Sequence, residues 1–403
     1  MRRGSKRLLP VSRLHPISVN FTAMWSDFLV VGGGIAGASA GYFLAGFGSV
    51  TVLEMEAVPG YHSTGRSAAL FSEYYGNSVV RALTAASKGF YRTPPAGFTQ
   101  PLLTPRGVLA LCPHGAEEHF AEVLATGLTA PTPVREVSAG EARGYCPAVR
   151  PEWFSRAMLK PAAMDIDVDA LHQGFLRGIR ARDGRVVRAA RVRSLTRRGG
   201  WHADTDAGEF AAGRVVNASG AWADEIASLA GVRPIGLTPR RRTAAIVAAP
   251  AGANVAQWPM VADVTETFYF KPESGQLLIS PSDATPMPPG DVRPDDLDIA
   301  TAIDRVQAAT DLVIRHVRRS WAGLRSAVPD DTPVVGEAPD AAGFFWLAGL
   351  SGYGIQTAPA VGRLAAALLT GEAPPIPGTA VDFELTSLAP ERLFNQPITG
   401  MKQ

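Results

Sequence analysis

The pattern of apolar positions near the amino end predicts a strand, a turn, a helix and a second strand in close succession. Phe28–Val31 is a short apolar run typical of a buried strand, and Ala38–Ala45 is a helical stretch of small residues. Val50–Leu53 is a second run rich in β-branched residues, and it ends at Glu54. The pattern indicates parallel strands joined by a helix, as at the start of an α/β domain.

The rest of the chain alternates between strand-like runs and helices. Phe344–Ala348 has a buried-strand pattern, Gly349–Gly354 is a glycine-rich turn and Thr357–Leu369 is an apolar helix. A solvated helix is predicted at Asp296–Val317. Strand character recurs at Leu102–Leu111, Arg240–Val247, Glu266–Phe270 and Leu277–Ser280. Because 403 residues are too many for one compact core, we expect two or three lobes.

Charge and cysteine content argue against several classes of protein. Basic and acidic residues nearly balance, 39 against 37, and the first acid, Asp27, follows five of the cations. The remaining chain has no concentrated basic face of the kind that nucleic acids require. Cys112 and Cys146 lack C-x-x-C spacing, which argues against zinc or iron–sulfur ligation and against a disulfide-stapled scaffold. We expect a soluble, cytoplasmic globular protein.

Two kinds of segment could be mistaken for targeting or membrane signals. Residues 1–23 are basic and interrupted by proline, without the unbroken apolar core of a signal peptide. We expect an extension there, either an over-long start before Met24 or a targeting segment. Residues 28–53 and 341–362 are uncharged, but glycines interrupt both stretches. A spanning helix needs about 20 apolar residues, so we predict no transmembrane segment.

Residues 32–37, which read GGGIAG, have the spacing of a dinucleotide-binding turn. Gly32 permits the tight turn, Gly34 lets the backbone approach a pyrophosphate, and Gly37 lets the helix pack closely on the strand. The helix amino terminus offers N–H donors to the phosphates. Glu54, 20 residues beyond Gly34, is placed to accept hydrogen bonds from ribose hydroxyls. An acid at this position disfavours NADP, whereas NAD and FAD both remain open on the motif alone; an ordinary glycine-rich turn is the alternative.

Beyond Glu54, the small and hydroxyl-rich segment Pro59–Ala69 suits a backbone laid along a large flat ring system. At this point the sequence resembles the superfamily of FAD-dependent D-amino-acid oxidases and dehydrogenases, which includes glycine and sarcosine oxidases. Within it, the chain is most similar to the D-arginine dehydrogenases, over essentially everything from Met24 onward. Six blocks carry the resemblance in the family order: VVGGGIAGAS (Val30–Ser39), PGYHSTGRSAA (Pro59–Ala69), MDIDVDALHQG (Met164–Gly174), NASGAWAD (Asn217–Asp224), SWAGLRS (Ser320–Ser326) and GYGIQT (Gly352–Thr357).

The resemblance implies an α/β fold in which a Rossmann-like FAD-binding domain adjoins a second, mixed-sheet α+β substrate domain. It implies an FAD-binding domain from residues 24–92, 168–236 and 322–403, and a substrate domain from residues 93–167 and 237–321. It further implies that FAD is held noncovalently. The implied cofactor-binding residues are Gly32, Gly34, Ile35, Ala36, Gly37, Glu54, Ser63, Thr64, Gly65, Arg66, Ser67, Ala68, Val192, Ala218, Gly220, Ser351, Tyr353, Gly354, Ile355 and Gln356.

A site that oxidises an amino acid needs a cation for the carboxylate and acceptors for the amine. Arg325 is flanked by small and apolar residues, so its guanidinium is either in a buried ion pair or aimed at an anion. The resemblance assigns it to the substrate carboxylate. Arg242 matches a second arginine near that carboxylate, although the adjacent Arg240 and Arg241 leave a solvated basic strand as the alternative.

Three further residues complete the site that the resemblance implies. It places Tyr269 over the substrate and Tyr75 in the active site, and the carbonyl of Gly352 accepts a hydrogen bond from the amine. A core aromatic with a satisfied hydroxyl is the alternative for Tyr269, and Tyr74 is the rival of Tyr75.

Two positions depart from the D-arginine dehydrogenase pattern. Val108 stands where those enzymes have a glutamate that pairs with the substrate guanidinium, and Leu70 stands in place of an active-site histidine. Burying a guanidinium beside two aliphatic side chains, without an acid, would cost several kcal/mol. We therefore predict a neutral, apolar D-amino acid, or an uncharged N-substituted one, rather than D-arginine or D-lysine.

The reaction predicted is oxidative deamination, in which the α-hydrogen passes to the flavin as hydride and the imino acid is hydrolysed to a 2-oxo acid and ammonia. His62 is expected to be structural, and no residue stands out as a general base. The alternatives are an oxidase of sarcosine, glycine or a 2-hydroxy acid, and a flavin-binding assembly protein without turnover. The electron acceptor, dioxygen or a quinone, stays open. Some relatives in the superfamily use a lysine near the flavin to speed dioxygen reduction. Here Lys271 is the only lysine close in sequence to a predicted active-site residue, which slightly favours a dehydrogenase.

Overall fold

The computed structural model describes residues 23–130, 132–372 and 384–394. Its strands, in chain order, are β1 (Met24–Val31), β2 (Val50–Leu53), β3 (Leu70–Phe71), β4 (Leu103–Pro105), β5 (Val108–Pro113), β6 (Arg135–Val137), β7 (Phe154–Lys160), β8 (Met164–Ile166), β9 (Arg185–Val187), β10 (Val192–Arg197), β11 (Trp201–Thr205), β12 (Gly208–Asn217), β13 (Thr238–Val247), β14 (Met260–Asp263), β15 (Tyr269–Glu273), β16 (Gln276–Ser280), β17 (Val317–Ala327), β18 (Val334–Glu337) and β19 (Phe344–Ala348). Its α-helices are α1 (Ile35–Leu44), α2 (Ser78–Arg92), α3 (Glu117–Leu128), α4 (Ala139–Tyr145), α5 (Val168–Arg180), α6 (Ala223–Leu229), α7 (Asp296–Ala309), α8 (Gly354–Thr370) and α9 (Glu391–Phe394).

The first sheet, as far as the described ranges show it, has eight strands in the order β10-β11-β12-β1-β2-β9, with β19 beside the end of β12 and β18 beside β19. Strands β1, β2, β9, β12 and β19 run parallel. Their register places Val31 opposite both Leu53 and Asn217, so the carboxyl ends of β1, β2 and β12 meet at one edge. Ligands of open parallel sheets bind at such an edge.

Helices cover both faces of this sheet. Helix α1 is composed of small and apolar residues and is buried on nearly every side, because α5 and α8 pack against it. At one end of that layer, Tyr42, Phe90, Phe98 and Phe175 pack mainly edge to face, an arrangement that aromatic rings favour. Helix α6 packs on the opposite face. This layered core holds the carboxyl edge of the sheet in a fixed position.

The second sheet also has eight strands within the described residues, in the order β17-β13-β16-β15-β14-β5-β7-β6. All neighbours are antiparallel except β5 and β14. Helix α7 packs on one face through Ala302, Val306 and Ala309. A three-stranded sheet, β3-β8-β4, is the third sheet of the described chain. None of the helices in these ranges is both long and apolar enough to cross a bilayer.

The structure changes three local expectations. The helix that begins at Asp296 ends at Ala309 rather than at Val317, because Thr310 forms a bridge with Val149 and Val317 already begins β17. The strand expected at residues 102–111 is two strands, since Gly107 between them has φ +70°. The strand expected from Glu266 starts only at Tyr269, because Glu266 has φ +54° and lies in a turn.

Two features bear on the expected domain boundaries. The expected boundary between residues 321 and 322 falls inside β17, which is a single strand of the second sheet. Residues 1–22 of the expected extension, and residues 373–383 and 395–403 of the expected FAD-binding domain, lie outside the described residues.

The aromatic cluster makes a stability prediction. Phe175 is fully buried, so Phe175→Ala leaves a cavity and is expected to lower the free energy of unfolding by about 3–5 kcal/mol. The matched control is Leu297→Ala, since Leu297 is 73% exposed and its change is expected within about 0.5 kcal/mol. Urea unfolding of the FAD-loaded variants measures both. Equal losses in the two variants would contradict the packing described.

Candidate active site

The glycine turn after β1 has the geometry that a bound dinucleotide requires. Gly32 has φ +107°, and a Cβ atom there would lie 2.4 Å from the carbonyl oxygen of Ala218. A Cβ at Gly37 would lie 1.9 Å from the carbonyl oxygen of Gly32, so α1 can approach the strand only with glycine at this position. The chain therefore passes from strand to helix in a corner that no larger residue fits.

The amino terminus of α1 retains free donors at this corner. The amide of Ile35 donates to Thr64 Oγ1 at 3.0 Å. The amides of Gly34 and Ala36 have no protein acceptor among the described residues, and both residues line a cavity. Free amides at a helix amino terminus bind phosphate oxygens.

Glu54 and His172 fix the walls of the corner. The carboxylate of Glu54 accepts hydrogen bonds from the amides of Gly33 and Glu56, each at 2.8 Å. Burial raises the pKa of Glu54, and these two amides act against that rise. His172 Nε2 lies 2.8 Å from the carbonyl oxygen of Gly33. His172 belongs to the block Met164–Gly174, and the residue pattern there gives no signal of this contact.

The first cavity lies along this corner and has a volume of about 420 Å³, within the range of small-molecule sites. Most of the cofactor-binding residues expected from the sequence line it: Gly32, Gly34, Ile35, Ala36, Glu54, Ser63, Thr64, Arg66, Ser67, Ala68, Val192, Ala218, Gly220, Ser351, Gly354 and Ile355.

Four of the expected cofactor residues lie elsewhere. Gly37 packs α1 on the turn, and the amide of Gly65 donates to the carbonyl of Gly60 at 2.7 Å. Gln356 is buried, and its Nε2 donates to Thr84 Oγ1 at 2.9 Å, so it joins α8 to α2 rather than lining the first cavity. Tyr353 lines the second cavity instead.

The hydroxyl-rich segment 59–69 is attached to β17 of the second sheet. Ser63 Oγ donates to the carbonyl of Leu324 at 2.6 Å, and Arg66 Nη1 donates to the carbonyl of Ala322 at 2.9 Å. In return, Trp321 Nε1 donates to the carbonyl of Arg66 at 3.0 Å. These three hydrogen bonds join segment 59–69, which lines the first cavity, to β17 of the second sheet.

A second cavity, of about 1170 Å³, opens from the first along one face of the second sheet. It contains Val108 and Leu70, the two positions that depart from the D-arginine dehydrogenase pattern, and Lys160. Both cavities share six lining residues, which we call the junction: Ser67, Ala68, Arg242, Tyr269, Arg325 and Gly352.

The two arginines of the junction have no carboxylate partner among the described residues. Arg325 Nη1 donates to the hydroxyl of Tyr75 at 3.3 Å, and Arg242 Nε is buried without an acceptor. Burial, and then the charge of Arg325, lower the pKa of Arg242. A Cβ at Gly352 would lie 2.9 Å from Arg325 Nη1, so only glycine admits the guanidinium here. The pair is arranged to receive an anion.

Alternation along β13 places Arg241 on the face opposite to that of Arg240 and Arg242. Arg241 points to the other side, where its Nη2 bonds Asp298 at 2.7 Å. Arg240 lies 3.7 Å from Asp331 and lines neither cavity. The basic run is therefore not uniformly solvated, and Arg242 alone of the three lines the junction.

Tyrosines surround the arginine pair. Tyr75 lines the second cavity, and its ring packs edge to face on Tyr353 at 4.9 Å between centroids. Tyr74 also lines the second cavity, but its hydroxyl donates to the carbonyl of Thr132. Tyr269 is buried in the junction, and its hydroxyl has no protein partner in the described ranges.

The remaining titratable candidates fall into two groups. Lys271 bonds Asp165 at 2.8 Å and lines neither cavity, so it is a structural cation. Lys160 lines the second cavity, and neither its position in the sequence nor its neighbouring residues predict this. His62 lines the first cavity; its Nε2 lies 2.9 Å from Glu56, and its Nδ1 is buried without a partner in the described chain.

The glycine corner and the carboxyl edge of the first sheet define a dinucleotide-binding protein, and its second cavity carries two arginines without a carboxylate partner in the described chain. The sequence model of the DAO family, described as FAD dependent oxidoreductase, matches residues 27–368, and the chain belongs to this family. Its cofactor is FAD. The free amides of α1, the glycine corner and the unpartnered His62 Nδ1 fit a large group in the first cavity.

Similar proteins are found across the family. The chain is 25% identical over 402 residues to the mitochondrial dimethylglycine dehydrogenase of Homo sapiens. The matched region covers 91% of this chain and 45% of that protein. It is 25% identical over 358 residues to glycine oxidase from Geobacillus kaustophilus, covering 85% of this chain and 92% of the oxidase. It is 31% identical over 174 residues to FAD-dependent oxidoreductase domain-containing protein 1 of Bos taurus, with 38% of this chain and 35% of that protein covered. The chain thus spans less than half the length of the dimethylglycine dehydrogenase and of FAD-dependent oxidoreductase domain-containing protein 1.

Solved structures agree on the fold. The crystal structure of glycine oxidase from Geobacillus kaustophilus superposes with a TM-score of 0.78 at 23% identity, covering 91% of this chain and 98% of that one. L-proline dehydrogenase from P. horikoshii gives a TM-score of 0.77 at 22% identity, covering 92% and 98%. Specific similarity to D-arginine dehydrogenases is not among these findings.

The glycine corner makes a prediction about cofactor retention. Gly32→Ala would force a Cβ into the carbonyl of Ala218 at an unfavourable φ, and we expect the purified variant to lose most of its FAD. The control is Gly140→Ala, because Gly140 lies on an exposed helix with no atom near its Cβ position. Flavin absorbance per mole of protein measures both. Full FAD content in Gly32→Ala would contradict the assignment.

Proposed function

We propose that this protein oxidises a D-amino acid to its imino acid, which water then converts to a 2-oxo acid and ammonia. The observation that carries the proposal is the pair of guanidinium groups, Arg242 and Arg325, without a carboxylate partner at the junction of the two cavities. Such a pair fits a substrate carboxylate. The carbonyl of Gly352, beside the pair, fits a substrate amine as a hydrogen-bond acceptor.

The junction residues bind and orient the substrate. The carboxylate lies between Arg242 and Arg325, and the amine donates to the carbonyl of Gly352, beside which Arg325 already lies. Tyr75 positions Arg325 through its hydroxyl, and the ring of Tyr269 covers the substrate. Because the carboxylate and the amine are held at fixed points, the α-carbon is oriented toward the cofactor. This orientation is the protein's main contribution, since the cofactor is intrinsically reactive.

The reaction balances without another protein group as oxidant. Bound FAD supplies the acceptor for two electrons and the α-hydrogen. The amine nitrogen loses a proton to water, because no junction residue is placed as a strong base, and water hydrolyses the C=N bond. A quinone or dioxygen would serve as the final electron acceptor. We propose a quinone-type acceptor, since Lys271 is bound by Asp165 away from both cavities.

The second cavity supports exclusion of cationic side chains. Val108 and Leu70 line it with aliphatic surface, and Lys160 adds a positive charge. A guanidinium group beside Val108 would meet the positive charge of Lys160 instead of the glutamate of the D-arginine dehydrogenase pattern. We propose that D-arginine and D-lysine are poor substrates. The D configuration itself rests on the resemblance of the six sequence blocks.

A second candidate is a small N-substituted amino acid, such as an N-methylated glycine. The names of two relatives, dimethylglycine dehydrogenase and glycine oxidase, support it, since both act on glycine or its derivatives as named. It uses the same arginine pair and leaves most of the second cavity unfilled. Comparison of glycine, sarcosine and D-amino acids as reductants separates the two candidates.

The arginine pair makes the central functional prediction. Arg325→Met removes the charged fork, and we expect kcat/KM for the best amine substrate to fall by about 100-fold or more, because a charged hydrogen-bonded partner is worth about 2–5 kcal/mol. Arg325→Lys keeps the charge but loses the two parallel donors, so its kcat/KM should lie between those of wild type and Arg325→Met. Anaerobic bleaching of flavin absorbance measures each rate. Arg240→Met serves as control, since Arg240 lines neither cavity.

Three results of this experiment would contradict the proposal. Equal loss in Arg325→Met and Arg240→Met would remove the arginine from the site. Bleaching by 2-hydroxy acids without release of ammonia would indicate an alcohol rather than an amine substrate. Retained FAD that no amine or hydroxy acid reduces would favour a flavin-binding assembly protein.

A further inference from the structure

Lys160 occupies a defined position at the far end of the second cavity. It is the last residue of β7, and it lies opposite Val108 of β5 in an antiparallel pair. Side chains that lie opposite each other in such a pair project from the same face. Val108 and Lys160 both line the second cavity, as this register requires.

The lysine has no acid partner within the described residues. Five acids of this cavity have other partners: Glu73 bonds Lys88, Asp330 bonds Arg392, Asp263 accepts from Thr267, Glu122 lies 3.5 Å from His119 and Asp331 lies 3.7 Å from Arg240. Glu266 also lines the cavity and its charge acts on Lys160, but it is exposed at a turn and forms no ion pair with the lysine. Burial lowers the pKa of Lys160, and Glu266 only partly opposes this. A partly buried ammonium without a counter-charge is costly unless something binds it.

We propose that Lys160 binds a second carboxylate of the substrate, so that the preferred substrates are amino-dicarboxylic acids. This inference rests on the proposed amine oxidation and deepens it. It replaces the neutral side chain expected from Val108 and Leu70, which line the same cavity, because Lys160 puts a positive charge opposite Val108. The α-carboxylate lies on Arg242 and Arg325, and the second carboxylate lies on Lys160.

Strand order sets the length of the preferred side chain. Tyr269, which marks the junction, is on β15, and Lys160 is three strands away, across β14 and β5. The register places Met158 level with Tyr269, and Lys160 lies two residues further along β7. At about 4.8 Å between strands and about 3.3 Å per residue, the backbones of Tyr269 and Lys160 are about 16 Å apart on a flat sheet. The flexible stem of the lysine spans part of this gap. We therefore expect glutamate and 2-aminoadipate to fit better than the shorter aspartate.

The test compares wild type, Lys160→Met and Lys160→Arg as FAD-loaded proteins on D-aspartate, D-glutamate, D-2-aminoadipate and D-methionine. In wild type we expect the highest kcat/KM for D-glutamate or D-2-aminoadipate. Lys160→Met should raise KM for these two by about 10- to 100-fold, with kcat and the D-methionine parameters little changed, since a charged hydrogen bond is worth about 1.5–3 kcal/mol. Lys160→Arg should restore most of the loss.

A binding measurement separates this inference from the proposed function. Glutarate and butyrate, which carry two carboxylates and one, are titrated against thermal stability of the three FAD-loaded proteins. We expect glutarate to stabilise wild type more than butyrate does, and Lys160→Met to abolish the difference. Equal effects of the two acids on wild type would overturn the role of Lys160, whatever the amine panel shows. Glutarate selectivity without flavin bleaching by any amine would contradict the proposed function instead.

Glu266 is the rival charge, and its variant gives the opposite result. If the cavity selects cationic side chains through Glu266, wild type should prefer D-lysine or D-arginine, and Glu266→Gln should remove that preference. This outcome would overturn the inference. Glu266→Gln is otherwise expected to leave the KM of D-glutamate unchanged or lower, because it removes a negative charge near Lys160.

The pairing of Val108 with Lys160 makes a separate prediction. Val108→Glu alone is expected to give no D-arginine activity, because the new carboxylate would lie opposite Lys160 and pair with it. Val108→Glu combined with Lys160→Met should gain that activity, since the carboxylate is then free for a guanidinium. The same amine panel measures both variants. D-arginine activity in Val108→Glu alone would show that Lys160 does not reach this position.

Discussion

Arg242 and Arg325 repel each other, and the described residues supply no carboxylate to offset this repulsion. The fold nevertheless holds them together. Arg242 lies opposite Gly323 on the neighbouring strand, so Arg325 occupies the adjacent diagonal position. Gly352 then leaves the space that the guanidinium of Arg325 fills. A carboxylate between the two guanidinium groups would offset this repulsion, which is why the proposed substrate is placed there.

The junction depends on contacts between segments that are far apart in the chain. Residues 63–66 and residues 321–324 exchange three hydrogen bonds, and these join the carboxyl edge of the first sheet to β17. Because β17 also carries Arg325, the same contacts that seat the cofactor-binding segment fix the anion site beside it. Cofactor and substrate geometry are thus coupled through one strand rather than adjusted independently.

Sequence reasoning predicted those parts of the site whose physics is local. Residues 28–54 form strand, turn, helix and strand as expected, because each element is specified by its own residues and by glycine geometry. The distinction between Arg241 and Arg242 required knowledge of which face of β13 meets the cavity. The expected helix extends past Ala309, where the bridge between Thr310 and Val149 overrides helical propensity, and the sequence does not show that contact. Lys160 and Val108 are 52 positions apart and meet only through the register of β5 and β7.

This last pair shows why a single departure from a family pattern is weak evidence about specificity. Val108 in place of a glutamate indicates the loss of a negative charge, and from the sequence alone that loss suggests a neutral pocket. The neighbour across the sheet changes the conclusion, because removing an acid beside a lysine leaves the lysine's charge uncompensated. The junction arginines and Lys160 therefore put positive charges at two points of the cavity, and the choice between dianionic and cationic side chains depends on how far Glu266 offsets the second of them.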